Sequence, residues 1–110
     1  MRWVTARRLA LPLLVFFTVP CYADEAGKTD LGKRLFLTEA TPPCAICHSL
    51  KQAGAEGAIG PSLDELKPDA ARVRKAVTNG IGQMPAFSSL TEHQVETLAR
   101  YVEQATGAGK

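Results

Sequence analysis

Two thiols and an imidazole fall within five residues, as Cys44-Ala45-Ile46-Cys47-His48. Cysteines at i and i+3 followed directly by histidine form the pattern that attaches a c-type haem. Each sulfur can add across one haem vinyl group, and the imidazole that follows is left to face the iron. Two other chemistries use part of the pattern. A redox dithiol of the thioredoxin kind also needs a βαβ context, and none is visible here. A zinc site needs about four protein ligands. Outside the N-terminal leader the available set is Cys44, Cys47, His48 and His93, and adjacent Cys47 and His48 are awkward ligands for one tetrahedral ion. The favoured reading is one covalent haem (heme c), anchored by Cys44 and Cys47, with His48 as an axial metal ligand.

What the haem does depends on the sixth iron position. The segment Asn79-Gly80-Ile81-Gly82-Gln83-Met84-Pro85-Ala86-Phe87 offers a thioether on a loop that glycines let turn tightly and Pro85 stiffens. A thioether is soft and neutral, so it favours ferrous iron and raises the reduction potential. Met84 is the sole methionine after the initiator and lies 36 positions beyond His48. The competing reading makes Met84 a core gap-filler. The competing ligand, His93, falls in the polar first turn of the last expected helix, where a solvated side chain fits better. With His48 and Met84 both on the metal, no position is open to oxygen, peroxide or substrate, and the chain is an electron carrier rather than an enzyme. With a displaceable Met84 it would be peroxidase-like or gas-binding.

Residues 1–23 read as an export signal. Arg2, Arg7 and Arg8 form a basic start, and Leu9–Val19 is an apolar run of 11 residues, short for a membrane span. Cys21-Tyr22-Ala23 then places small residues for cleavage before Asp24. Lipidation at Cys21, twin-arginine export and an uncleaved anchor are the weaker alternatives. Export places the mature chain in the periplasm, where c-type haem is generally attached, with no membrane association after cleavage. Three of the 13 Lys and Arg lie in the leader and none of the 11 acids do, so residues 24–110 carry ten cations against eleven anions, a balance of −1. Nothing in this balance suggests nucleic-acid binding. The 87 remaining residues form one domain with a modest core. Both cysteines left are consumed by the haem, so no disulfide supports it. A monomer is expected, and a poorly folded apoprotein.

The elements that position these groups are helical. Leu31, Leu35 and Phe36 share one face of a helix from about Glu25 to Leu37, which Thr41-Pro42-Pro43 breaks before the haem motif. Ala53 to Gly60 is glycine-rich and reads as a loop. Pro68-Asp69 opens a helix, with proline in its first turn; Val73, Ala76 and Val77 share a face and Gly80 closes it. Thr91 and Gln94 form a capping box for a last helix with Val95, Leu98, Ala99 and Val102 on one side, ended by Gly107. No segment alternates with period 2.

With these pieces in place, the chain resembles the small class I monohaem cytochromes c over almost all of its mature length. The resemblance implies an all-α fold, with N- and C-terminal helices crossing and short helices and loops wrapped around one haem. It also implies further roles. The Pro61 carbonyl of Gly60-Pro61-Ser62-Leu63 would accept the ring hydrogen of His48, and Leu63 would pack on the haem. Gly32, Phe36, Leu98 and Tyr101 would make the helix crossing. The stretch Leu50–Gly57, with Gly60-Pro61 and Leu63–Pro68, is similar more loosely to periplasmic cytochromes that accept electrons from molybdenum sulfite dehydrogenases. Redox partners are therefore expected, a dehydrogenase as donor and a cytochrome or oxidase as acceptor. Ala45, Ile46, Ala58, Ile59, Gln83, Ala86 and Phe87 are expected around the exposed haem edge. Arg72, Arg74 and Lys75 form a basic run that either steers an acidic partner or is simply a solvated helix face.

Overall fold

The computed structural model describes residues 12–18 and 23–110. Arg2, Arg7 and Arg8 of the expected signal, and Cys21 and Tyr22 of its cleavage site, lie outside the described residues. Residues 12–18 have no regular secondary structure, and Leu13 and Phe17 are 90% and 88% exposed, so this part of the apolar run adds nothing to the core. No helix among the described residues is long and apolar enough to cross a membrane.

The fold is mostly helical. α1 (Ala23–Arg34) runs on into a π-helical turn, Leu35–Glu39, so the first helix extends past the expected end at Leu37. Ala40 N–H closes the wider turn on the Leu35 carbonyl at 3.1 Å, and both Leu35 and Phe36 are fully buried there. α2 (Cys44–Cys47) is a single turn. β1 (Ser49–Leu50) and β2 (Ala55–Glu56) pair antiparallel, Ser49 with Glu56 and Leu50 with Ala55, across a 3₁₀ turn at Lys51–Ala53. The glycine-rich stretch is thus part ladder, not all loop; two-residue strands are too short to show an alternating pattern. α3 (Leu63–Leu66) is another single turn, ended by Lys67 in the left-handed region. α4 (Ala70–Asn79) and α5 (Glu92–Thr106) complete the chain.

The ends of α4 and α5 follow the capping chemistry of their sequences. Thr91 and Gln94 make the reciprocal capping box, Gln94 N–H to Thr91 Oγ1 at 3.2 Å and Thr91 N–H to Gln94 Oε1 at 2.9 Å. Gly107, at φ 74°, ends α5. For α4 the cap is Asp69, which accepts from Arg72 N–H at 2.8 Å. Pro68 stands before the cap rather than in the first turn, because Asp69 already occupies the flanking position with extended backbone. Glu103 of α5 accepts from the Ala70 N–H at 3.1 Å, and Arg74 pairs with Glu96 of α5 at 2.7 Å. Both ties fix α4 on α5.

α1 and α5 cross where Gly32 meets Tyr101. A Cβ on Gly32 would lie 2.3 Å from Tyr101 Cβ and 3.2 Å from the Thr97 carbonyl oxygen. The Phe36 and Tyr101 rings pack beside the crossing, tilted by 59° with centroids 6.3 Å apart. The Tyr101 hydroxyl donates to Gln52, and burial pushes its phenol up to about 12. Gly32→Ala is therefore expected to lower the denaturation midpoint of the holoprotein, by an overpacking cost of about 1–3 kcal/mol. Gly27, also in α1, has nothing within 4 Å of a Cβ. Gly27→Ala should stabilise by up to about 1 kcal/mol through helix propensity alone. Opposite signs for the two substitutions, read in chemical denaturation, check the crossing.

Candidate functional site

In α2 the spacing of three puts Cys44 and Cys47 on one face of a single turn. His48 leaves the helix with extended backbone, φ −111° and ψ 138°, while its N–H still bonds the Cys44 carbonyl at 2.9 Å. Its ring turns to Pro61, with Nδ1 2.8 Å from the Pro61 carbonyl oxygen. A carbonyl only accepts, so Nδ1 carries the hydrogen and Nε2 keeps its lone pair for a metal. This contact is the one the resemblance implied.

The loop 57–61 is what holds Pro61 in reach. Gly60 N–H bonds the Cys47 carbonyl at 2.7 Å. A Cβ on Gly60 would sit 2.6 Å from His48 Cε1 and 2.9 Å from Nδ1. One on Gly57 would lie 2.6 Å from the Ala45 carbonyl oxygen. Of the three glycines in the Ala53–Gly60 stretch, Gly57 and Gly60 are thus places where backbone lies directly on the Cys44–His48 motif, whereas Gly54 has nothing within 4 Å of a Cβ. Gly60→Ala is expected to push the imidazole off its Pro61 contact. A changed reduction potential, together with a stability loss of about 1–3 kcal/mol, would show it.

Met84 comes from the other end of α4. Gly80, at φ 72°, turns the chain away from the helix, and a Cβ there would meet the Met84 carbonyl oxygen at 2.8 Å. Ile81 and Met84 then exchange two backbone hydrogen bonds, 3.0 and 2.9 Å, around Gly82-Gln83. Positive φ at Gly82, the first central residue, is the pattern of a type II′ turn. Phe87 N–H anchors the loop to the Val77 carbonyl of α4 at 2.9 Å.

One cavity of about 740 Å³ collects these groups. All six residues singled out from the sequence line it: Cys44, Cys47, His48, Pro61, Leu63 and Met84. Phe36, Val73, Leu98 and Val102 supply apolar walls. The volume lies within the range of about 300–1,000 Å³ usual for small-molecule pockets. His93 does not line it; exposed on α5, it faces a separate depression beside Glu25 and Lys28. Among the described residues no group of three or more His, Cys, Asp or Glu could hold a metal ion. The zinc alternative therefore has no assembled site there. Burial pushes the Cys44 thiol up to about 11, the reverse of what a dithiol nucleophile needs. A neutral thioether suits that burial, so the donor set and the apolar walls fit a c-type haem.

Two expectations about the rim change. Ile46 and Ile59 are 55% and 72% exposed, as an accessible edge requires. Phe87 is not at the rim: the turn of the loop onto α4 buries it at 7% exposure. Ile81, 68% exposed and lining the cavity, takes that place; which side of the turn faces outward is set by the packing of the loop and not by local sequence. The basic run is also divided, since Arg74 points to Glu96 while Arg72 and Lys75 line the cavity.

Helices crossing over a haem-attachment turn define a small c-type cytochrome. Residues 27–102 match the family described as cytochrome C oxidase, cbb3-type, subunit III, and the chain belongs to that family of class I cytochrome c domains. Its structure is similar to the crystal structure of the c-type cytochrome SorU from Sinorhizobium meliloti, at 52% identity and a TM-score of 0.72, covering 74% of this chain and 94% of that one. No curated protein sequence matches the chain.

Proposed function

We propose that the chain is a periplasmic electron carrier with a single haem, bound covalently through Cys44 and Cys47 and ligated by His48 and Met84. The observation that carries this reading is that a histidine with its Nε2 lone pair left available and the chain's one internal methionine line the same apolar cavity. When bound, the haem supplies one-electron exchange between Fe(III) and Fe(II). His48 and Met84 would hold the iron, and the apolar walls of the cavity would keep water from it. Pro61 fixes the imidazole, and the Ile81–Met84 hairpin fixes the thioether. Ligands held alike in both oxidation states keep reorganisation small. Ile46, Ile59 and Ile81 leave a small apolar rim, suited to a transient contact below about 1,200 Å². The leader supports the periplasmic assignment.

The donor on this reading is a periplasmic dehydrogenase, with a sulfite dehydrogenase leading because residues 50–68 resemble cytochromes that serve such enzymes. The acceptor is a cytochrome or an oxidase. Stopped-flow mixing of the ferric protein with a sulfite dehydrogenase and sulfite tests the donor. Reduction should be second order, at about 10⁵–10⁷ M⁻¹s⁻¹. Failure there, with ready reduction by a small chemical reductant, would remove the sulfite assignment and keep the carrier.

A further inference from the structure

The charges around the haem cavity are one-sided. Apart from Cys44, Cys47 and His48, which the haem engages, its titratable lining residues are Arg72 and Lys75; no Asp, Glu or Tyr lines it. Both project from α4, three residues apart, so their Cβ atoms are neighbours about 5–6 Å apart on one helix face. Val73 and Ala76 carry the apolar part of that wall beside them. Neither cation has an ion-pair partner among the described residues, whereas Arg74 between them is turned away onto Glu96. The nearest acid in sequence, Asp69, is engaged as the cap of α4. Arg72 and Lys75 line the cavity and are exposed, as suits long side chains at the rim of an apolar wall.

A c-type haem brings two carboxylates of its own, the propionates, on the pyrrole rings that do not carry the thioether links. The thioethers are fixed at α2, and the two unpaired cations belong to a different wall, α4. We propose that Arg72 and Lys75 are the counter-charges of the haem propionates, and through them positioning residues that set the reduction potential and its dependence on pH. The proposal rests on the haem reading above. A guanidinium offers a carboxylate a planar fork, and an ammonium offers it a point charge. Both keep the propionates ionised to lower pH. Both also disfavour the ferric state, which carries one more positive charge than the ferrous.

The test is potentiometric titration of the holoprotein from pH 5 to 9, on Arg72→Gln, Lys75→Gln, the double variant and Lys33→Gln. Lys33 is a cation on α1 that does not line the cavity. The double variant should show a lower potential, with a ferric-to-ferrous ratio at fixed poise raised about three- to tenfold; tenfold is 59 mV for one electron. The step in potential that accompanies propionate ionisation should move toward neutral pH. Each single variant should give part of both effects, and Lys33→Gln neither. A far-red charge-transfer band retained in every variant shows that the ligands are intact. Unmoved potential and pH step in the double variant, with that band present, would overturn the proposal alone. A lower potential with an unmoved pH step would overturn it too, since it would mean action at a distance on iron rather than contact with the carboxylates. Absence of the band from the unmutated protein would instead undo the His48–Met84 reading.

Discussion

Replacing Met84 by alanine should leave the haem covalently attached, abolish the weak far-red band that marks iron–thioether ligation, and lower the reduction potential. The fall should be on the order of 100 mV or more, a fraction of the roughly 0.8 V that axial ligands span. Attachment survives because Cys44 and Cys47 sit on α2, a separate element from the Ile81–Met84 hairpin. The potential falls because a soft neutral donor that favours ferrous iron is gone. The hairpin itself is closed by backbone hydrogen bonds and by the Phe87–Val77 anchor, neither of which needs the thioether. Potentiometry and the ferric spectrum of Met84→Ala read the result. An unchanged potential would leave Met84 as a wall of the cavity and no more.

The second large effect concerns the fold. The double variant Cys44→Ser, Cys47→Ser should show no haem stain on a denaturing gel, and the chain should lose cooperative unfolding. The reason is the size of what the haem fills. A cavity of about 740 Å³ without the haem leaves its apolar walls to water or to collapse, and whole domains are stable by only about 5–15 kcal/mol. The walls affected are not peripheral, since Phe36, Leu98 and Val102 line the cavity and also belong to the α1–α5 core. Far-ultraviolet circular dichroism through a thermal ramp checks this. A sharp transition at ordinary temperature in the haem-free variant would show that α1, α4 and α5 form a core without it.

The parts of this protein legible from sequence are those where one residue type has few alternative uses. Cys44, Cys47 and His48 carry their chemistry in their spacing. Thr91 with Gln94, and Asp69 before α4, carry helix starts in side chains that can reach only local N–H groups. The helix crossing followed from the resemblance: Gly32 beside Tyr101 has no room for a Cβ. What was not legible depends on which way a turn faces or on contacts distant in the chain. Phe87 leaves the expected rim and Ile81 stands exposed there, because the Phe87 N–H bond to Val77 draws that side of the loop onto α4. The β1–β2 pair is held by four residues, too few to leave a pattern. Gly57 and Gly60 looked like loop punctuation, and only the fold lays them against the haem motif. The basic run looked uniform, and only the position of Glu96 on α5 separates Arg74 from its neighbours.

An electron carrier of this kind requires His48 and Met84 to share one iron. The ferric absorption spectrum of the purified, unmutated holoprotein at neutral pH tests that most directly. A weak far-red charge-transfer band that disappears on reduction is the predicted result. A ferric spectrum without that band, or one that changes when a small exogenous ligand is added at modest concentration, would contradict it and return the cavity to the displaceable-ligand chemistry of an enzyme or a sensor.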